Sequence, residues 1–264
     1  MRGVGATAGP YLMSYALTGG KGWNSGYAMI ALIQVALTLI LILSLPLWKT
    51  RSNDPENADS NADASKEPSC GAPLTLKQII KVPGAVEIMV AFFCYSAVEQ
   101  TTGLWASSYL VLNRSIAAET AASWASLFFL GITAGRAVSG FLTMKLNDVQ
   151  MIRMGQGIIA AGILILMLPI GKNAALLGLV LVGAGCAPIY PCIIHATPAN
   201  FGPDKSQAVI GVQMASAYVG TCLMPPLFGL IANHVNIGLF PFYLLLALAL
   251  MTAAHERMQK RAGR

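Results

Sequence analysis

Asn173–Ala196 has the sequence NAALLGLVLVGAGCAPIYPCIIHA, without one aspartate, glutamate, lysine or arginine. An apolar run of about 18 or more residues is long enough to cross a bilayer as a helix. Six further runs of this kind occur along the 264-residue chain. They are Ser25–Leu47, Ile88–Asn113, Thr120–Met144, Met154–Gly171, Ser206–Asn233 and Val235–His255. The sequence therefore predicts seven full-length membrane spans.

The composition of the whole chain agrees with this interpretation. Apolar residues make up 55% of the chain, charged residues only 11%, and the mean hydropathy is +0.62. Soluble domains are about one quarter charged, so this chain has too few ionic groups to cover a water-facing surface. The composition excludes a soluble enzyme, a disordered chain and a secreted disulfide scaffold. Because lipid cannot satisfy backbone polar groups, the spans should be helices, and they lack the alternation of barrel strands.

A polar tract divides the spans into two groups. Arg51–Pro68, RSNDPENADSNADASKEP, is rich in serine, asparagine, aspartate and proline, which is typical of a flexible linker. An eighth apolar stretch, Gly3–Gly20, lies before it and is rich in glycine. We therefore expect residues 1–48 to hold two helices, residues 49–83 to form a linker, and residues 84–264 to form a six-helix bundle with a short tail.

The basic residues predict the orientation of these spans. If the linker is cytoplasmic, thirteen of the 17 lysines and arginines fall on the cytoplasmic side, three fall outside, and Arg136 lies within a span. Cytoplasmic loops carry an excess of such residues, so we expect the linker and the C-terminus to be cytoplasmic, with the protein in the cell membrane. Membrane topology then explains the net charge of +6. Because the basic groups are spread over many loops, they argue against nucleic acid as a partner.

Several short motifs resemble those of a known transporter family. Two spans, a charged linker and six further spans are similar to the later two-thirds of a major facilitator superfamily transporter. Three motifs carry the resemblance: Gly5-x3-Gly9-Pro10, Gly22-Trp23-Asn24 and Gly135-Arg136-Ala-Val-Ser-Gly140. The first is similar to part of the family's fifth-helix motif, and the second to the loop before its sixth helix. The third is similar to the Gly-Arg near the cytoplasmic end of its eighth helix.

Two longer stretches resemble the fucose:proton-symporter-like branch of sugar transporters. The first begins Phe92-Phe93-Cys-Tyr95-Ser-Ala-Val-Glu99, and the second is Gly183-Ala-Gly185-Cys-Ala187-Pro188-Ile-Tyr190-Pro191. In that branch the seventh helix carries Phe-Phe-x-Tyr-x-Gly-x-Glu and the tenth helix carries Ala-Pro-x-x-Pro.

The resemblance implies an all-α membrane bundle that holds helices five to twelve of the family, with residues 1–48 as the remnant of the N-terminal bundle. It implies transport of a small-molecule solute by alternating access, with a sugar or polyol as cargo. The implied partners are this solute, the lipid bilayer and a coupling proton. In the sugar:proton branch the coupling carboxylates lie in the N-terminal half, so the resemblance assigns coupling to no residue of this chain. It implies no cofactor and no enzymatic activity.

Glu99 is the principal candidate for a binding residue. It lies near the middle of Ile88–Asn113, where a charge costs roughly 2.5–3.5 kcal/mol on insertion scales, so it should face a cavity or a partner. Helical spacing places Tyr95 on the same face and Trp105 at its edge. A carboxylate flanked by aromatic rings suits a polyol, because it accepts hydrogen bonds from hydroxyls while the rings stack on sugar C–H surfaces. The alternative is a structural carboxylate paired with Asn, Gln or Arg on a neighbouring helix.

The prolines of the second motif point to a further part of the cavity. Pro188 and Pro191 should unwind or kink their helix, and discontinuous helices expose backbone groups at the central sites of transporters. Tyr190 lies between these prolines and is therefore a cavity candidate.

Two more residues have both a functional and a structural interpretation. Gln213 belongs to a stripe of small and polar residues that either contacts substrate or packs closely against a neighbouring helix. Arg136 lies near the cytoplasmic end of its span, where gating or packing is expected rather than substrate contact. It could snorkel to the interface or pair with Asp148.

The sequence carries no common catalytic or metal-binding motif, since GxxxxGK[ST], HExxH and GxSxG are all absent. Three functions remain open: a solute transporter, a truncated chain without transport activity of its own, and a drug or metabolite exporter of the same superfamily. An apolar cavity without Glu99 on its wall would favour the exporter.

Overall fold

The computed structural model describes residues 22–49, 76–168 and 171–262. Within these ranges the chain is helical, as the sequence predicts. The helices are α1 Gly22–Lys49, α2 Leu76–Ile80, α3 Ala85–Arg114, α4 Ala118–Leu142, α5 Asp148–Met167, α6 Lys172–Phe201, α7 Pro203–His234 and α8 Phe240–Ala262. One compact unit contains α2 to α8, and another contains α1. The predicted Gly3–Gly20 span and the Arg51–Pro68 linker lie outside the described residues.

Seven of these helices are long, and each overlaps one of the seven predicted spans, although α5 begins six residues before the predicted Met154–Gly171 and ends four residues before it does. Among the described residues, six helices are long and apolar enough to cross a membrane: α1, α4, α5, α6, α7 and α8. The seventh, α3, has 30 residues, but the run Glu99–Thr102 at its centre is polar and lowers its hydropathy. The long helices confirm an all-α membrane bundle, and the one polar interruption lies on α3.

The last predicted span differs from the observed helix at both ends. A 3-10 turn at Ile237–Leu239 separates α7 from α8. The Asn236 side chain accepts a hydrogen bond from the Gly238 N–H at 2.6 Å and stabilises this turn. Helix α8 then continues through the basic tail to Ala262, because cations are favourable in the last turn of a helix.

The unit that contains α2 to α8 has two rows of three long helices. Helix α6 packs between α4 and α5, and α3 packs between α7 and α8. Contacts of α3 with α4 and α6, and of α5 with α8, join the two rows. A single residue, Gly202 (φ +83°), separates α6 from Pro203 at the start of α7. A connection this short makes the two helices antiparallel neighbours.

Glycines let α6 approach both of its neighbours closely. At the α4 interface the close residues are Gly135 and Gly183, and at the α5 interface they are Gly178 and Gly185. At each of these positions a Cβ would lie 2.8 Å or less from the facing backbone. Small residues of this kind are how membrane helices pack tightly, and the result is a fixed central position for α6.

The predicted unwinding of the helix at Pro188 and Pro191 is not observed, and the alternative, a kink at these prolines, stays a prediction. Helix α6 is continuous from Lys172 to Phe201, with both prolines and Pro198 inside it. A proline leaves the carbonyl four residues earlier without its helical partner, and for Pro188 that carbonyl belongs to Ala184. Membrane helices tolerate such a loss where neighbouring helices surround the site, and here α4 and α5 pack on both sides of α6.

One end of the bundle, here called the charged end, is where α3 and α5 begin and where α6 and α8 finish. Three ion pairs between helices lie there: Arg153–Glu256 (2.7 Å), Arg261–Glu87 (2.5 Å) and His195–Asp148 (2.8 Å). They connect α5 to α8, α8 to α3, and α6 to α5. The suggested pairing of Arg136 with Asp148 is therefore wrong, since the carboxylate of Asp148 contacts His195.

Candidate functional site

An aromatic cluster joins α3 to α6 in the interior of the bundle. The ring centroid of Tyr190 lies 5.2 Å from that of Phe92 and 6.2 Å from that of Tyr95. Phe92 and Tyr95 stack on each other at 6.0 Å. The structure thus brings together two of the predicted site residues, Tyr95 and Tyr190, from helices that are distant in sequence.

Glu99 lies one turn beyond Tyr95 on α3 and is half-buried. The Tyr95 hydroxyl is buried and makes no hydrogen bond of ordinary geometry with the described residues, although the Glu99 carboxylate is near enough to interact with it. Among the described residues Glu99 takes part in none of the three ion pairs. A carboxylate that forms no ion pair with the described residues therefore borders the aromatic cluster in the middle of a membrane-spanning helix.

Arg136 belongs to the same neighbourhood. Its side chain is half-buried. Arg136 comes from α4, next to Gly135, whose close contact with Ala184 brings α4 against α6 at this level. Glu99 of α3 and Arg136 of α4 thus belong to two helices that both contact α6.

Burial divides the predicted site residues into two groups. Glu99, Tyr190 and Arg136 are half-buried, so part of each side chain can be reached from outside the bundle. Tyr95 is only 2% exposed, and Gln213 is 0% exposed. The first three residues thus keep exposed surface in this conformation, and the other two have almost none.

Gln213 makes its contacts across the interface between α6 and α7. Its Nε2 donates to the Thr197 hydroxyl at 3.2 Å, and that hydroxyl lies 3.3 Å from Oε1 of the same amide. Thr197 is also fully buried. This pairing supports the structural interpretation of the stripe that contains Gln213, because the buried amide finds its hydrogen-bond partner on a neighbouring helix.

Trp105 is directed toward α7. Its indole N–H donates to the Pro225 carbonyl at 3.0 Å, and its ring meets Phe228 edge to face at 5.5 Å. At Gly229 a Cβ would lie 2.8 Å from the indole. The indole therefore anchors α3 on α7, while Tyr95 and Tyr190 join α3 to α6.

Of the two predicted structural prolines, Pro188 is buried and Pro191 is exposed. Pro188 also packs against α5, where a Cβ on Gly155 would lie 3.0 Å from its ring. Both prolines lie within one turn of Tyr190.

Sequence reasoning missed two residues of this neighbourhood. Phe92 precedes Tyr95 by three positions and Cys186 precedes Tyr190 by four, which are the spacings of residues on one helix face. Applying that spacing to each candidate tyrosine would have identified both. Among the described residues no group of three or more histidine, cysteine, aspartate and glutamate side chains could hold a metal ion.

Comparison with known proteins identifies the family. The model of the Major Facilitator Superfamily matches residues 88–256, which is more than half of the chain. The chain belongs to the major facilitator superfamily. Its members are membrane transporters and not enzymes, and the long apolar helices make this chain a multi-pass membrane protein of that superfamily.

One solved structure and one protein of known sequence are similar to this superfamily member. The Major Facilitator Superfamily transporter FucP, in its outward conformation, matches with a TM-score of 0.62 and 18% identity, over 74% of this chain and 47% of that chain. Bypass of stop codon protein 6 from Saccharomyces cerevisiae is 24% identical over 271 residues, which are 95% of this chain and 54% of that protein. The chain spans about half the length of both. At 18% identity, the likeness to FucP shows a shared fold.

Proposed function

We propose that this protein takes part in secondary transport of a sugar or related polyol by alternating access. The observation that carries the proposal is the half-buried Glu99 carboxylate, without a cation among the described residues, beside the Tyr95–Tyr190 cluster. A charge at this depth is costly unless it serves a pathway or a partner. A polyol would supply further hydroxyl donors to this carboxylate.

The accessible groups match the two surfaces of a sugar. Glu99 accepts hydrogen bonds from hydroxyls, and charge-assisted bonds of this kind are about twice as strong as neutral ones. The half-buried Tyr190 ring offers an apolar face to the C–H surface of a pyranose. We assign Tyr95 a positioning role, because its hydroxyl is buried near Glu99. Gln213 and Trp105 would contact cargo only in another conformation.

The membrane orientation is part of the same proposal. The charged end holds the junction between α4 and α5 and the C-terminal turn of α8, with exposed Lys145, Arg153, Arg257 and Lys260. An excess of lysine and arginine favours the cytoplasmic side, so we place the charged end, the 49–83 linker and the C-terminus in the cytoplasm of a cell whose plasma membrane holds the protein. A proton is the coupling ion we would test first.

The experiment is a binding and uptake assay with neutral monosaccharides on the purified chain, in detergent and in proteoliposomes. Glu99→Gln keeps the size of the side chain and removes its charge, and we expect it to weaken sugar binding about tenfold or more. Glu119→Gln is the matched control, because Glu119 is an exposed glutamate in the first turn of α4. Sugar binding that Glu99→Gln leaves unchanged would show that the site is misplaced. Binding of lipophilic dyes in place of sugars would favour an exporter.

A further inference from the structure

We propose that His255 is a proton-binding site of the charged end, where uptake of one proton loosens the contact between α5 and α8. His255 lies on α8, one residue before Glu256. The Glu256 carboxylate accepts two hydrogen bonds from Arg153 of α5, from Nε at 2.7 Å and from Nη2 at 2.8 Å. This role of His255 does not depend on which cargo the protein carries.

The His255 ring is buried without a hydrogen-bond partner. Its exposed fraction is 0%, and neither Nδ1 nor Nε2 makes a hydrogen bond with the described residues. Buried polar side-chain atoms nearly always have a partner, because an unsatisfied one costs its full desolvation penalty. A histidine in this state is therefore an exception, and its burial must be offset by the packing of α8.

The ion pair between Arg153 and Glu256 shows which parts of α5 and α8 meet. Its side chains are 55% and 35% exposed, so the pair lies at the edge of the interface. Gln156 follows Arg153 by three residues on α5 and is 5% exposed. Both Gln156 and His255 are therefore buried within about one helical turn of the pair along the axis.

Two glutamines add to the unsatisfied polar atoms of this interface. Gln259 follows His255 by four residues and so lies on the same face of α8. The Nε2 atoms of Gln156 and Gln259 are buried and have no partner among the described residues. Amide nitrogens are hydrogen-bond donors, so neither of them can accept a proton from a charged imidazole ring.

The carboxylates around His255 are already paired. Helices α3, α5 and α7 and the turn Ile237–Leu239 pack against α8. The charged and titratable groups of these elements toward the charged end are Glu87 and Cys94 of α3, Asp148 and Arg153 of α5, Asp204 and Lys205 of α7, and Glu256, Arg257, Lys260 and Arg261 of α8. Glu87, Asp148 and Glu256 each form an ion pair, and Asp204 is exposed. Glu99 of α3 lies about 9 Å deeper along the bundle than His255, counted from the Glu87–Arg261 pair.

These surroundings favour a neutral ring. A neutral imidazole has one donor and one acceptor, whereas an imidazolium has two donors and a charge. Burial of an unpaired charge costs far more than burial of a neutral polar group. His255 can therefore take up a proton only when α5 and α8 separate at the charged end and water reaches the ring.

The sign of the pH dependence follows from this linkage. The ring is neutral while the interface is closed and can be charged only when it is open. Above the ordinary histidine pKa of about 6.5 the proton has no effect. Below that pH the open form binds a proton that the closed form does not, so each further pH unit favours opening by up to about tenfold.

His195 should respond to acid in the opposite direction. Its Nδ1 lies 2.8 Å from the Asp148 carboxylate, and its side chain is 82% exposed. Protonation of His195 completes an ion pair between α6 and α5, although solvent screens a pair this exposed. Acid therefore does not weaken every contact of the charged end, and the loosening should be confined to the interface of α5 with α8.

The experiment measures hydrogen exchange of backbone amides in the full purified chain in detergent, at pH 7.5 and pH 5.5. Exchange in segments 148–156 and 252–262, divided by that of unstructured peptides of the same sequence, reports the opening equilibrium. In the wild type this equilibrium should rise about tenfold between the two pH values. His255→Phe keeps a planar ring that cannot take up a proton, and its equilibrium should change little. Carboxyl groups of ordinary pKa stay ionised over this range.

The matched control is His234→Gln. His234 is exposed in the last turn of α7, so its variant should show the same tenfold rise as the wild type. An equal rise in the wild type and in His255→Phe would place the acid response elsewhere and overturn the proposal. A wild type whose exchange is the same at both pH values would overturn it as well.

A second measurement decides the matter if His255→Phe does not fold. Nuclear magnetic resonance of ¹⁵N-labelled histidine gives one ring signal for each of the three histidines, and His195→Gln and His234→Gln assign the other two. A His255 ring that remains neutral at pH 5.5 in the folded protein supports the proposal. A His255 ring that titrates near pH 6.5, as an exposed histidine does, contradicts it.

Discussion

Gly155 of α5 and Gly185 of α6 face each other so closely that a Cβ on either residue would lie 2.6 Å from the carbonyl oxygen of the other. Gly162 of α5 and Gly178 of α6 are arranged in the same way. A Cβ on Gly162 would lie 2.7 Å from the Gly178 carbonyl oxygen, and a Cβ on Gly178 would lie 2.8 Å from the Gly162 carbonyl oxygen. Seven positions separate the two glycines on each helix, so both contacts fall on one face. The two helices therefore meet backbone to backbone, and this contact fixes the helix that carries Tyr190.

Gly155→Ala should destabilise the bundle, because the added methyl has no room unless α5 and α6 separate. Overpacking of a tight interior costs about 1–3 kcal/mol, which thermal unfolding of the purified protein in detergent would detect. Gly157→Ala is the control on the same helix, since a Cβ there meets nothing within 4 Å. A Gly155 variant as stable as the Gly157 variant would contradict the close contact.

The Thr197–Gln213 pair gives a second prediction about the interior. Thr197→Val removes the partner of a fully buried amide and should cost about 1–3 kcal/mol. Thr197→Val combined with Gln213→Leu removes both polar groups and should recover most of that loss, because no orphaned donor remains. Unfolding temperatures of the wild type, the two single variants and the double variant measure the coupling. Additive losses would rule out the pairing.

The ion pairs of the charged end should differ in strength according to their exposure. The side chain of Glu87 is 13% exposed in its pair with Arg261, whereas that of Glu256 is 35% exposed in its pair with Arg153. Glu87→Gln should therefore cost about 1.5–3 kcal/mol and keep its effect in high salt. Glu256→Gln should have a smaller effect that salt removes, because exposed pairs are screened. Unfolding at low and high ionic strength distinguishes the two, and an identical salt response would argue against this ranking.

Much of this fold is predictable because a membrane helix is specified by local composition alone. The run Asn173–Ala196 lies within α6, and the seven predicted spans all correspond to long helices. Local composition does not decide whether a proline interrupts a helix. Pro188 and Pro191 are accommodated in α6 through packing against α4 and α5, and those neighbours are invisible in the sequence around the prolines.

The site is predictable only where one helix face decides it. Tyr95 and Glu99 share a face of α3 at a spacing of four residues, so their proximity follows from the sequence. Other parts of the site depend on contacts between helices, which the sequence of one helix does not reveal. Gln213 is paired with Thr197 across the α6–α7 interface, and the Trp105 indole is hydrogen-bonded to α7. The position of Arg136 along α6 likewise depends on the close contact of Gly135 with Ala184 and Ala187.

Tyr95→Phe tests whether the buried hydroxyl positions Glu99. The hydroxyl is buried without a hydrogen bond of ordinary geometry to the described residues, so its loss should leave the free energy of unfolding unchanged or raise it by up to about 1–3 kcal/mol. Binding of the sugar that the wild type prefers should nevertheless weaken severalfold, because the Glu99 carboxylate loses the polar neighbour that orients it.

Tyr109→Phe provides the opposite case on the same helix. The Tyr109 hydroxyl donates to the Leu166 carbonyl at 3.3 Å, so its removal should cost about 0.5–1.5 kcal/mol of stability and leave sugar affinity unchanged. Unfolding temperature and equilibrium binding, measured together on both variants, separate positioning from packing. If Tyr95→Phe lowers stability and affinity together, as a packing defect would, the hydroxyl has no separate role in orienting Glu99.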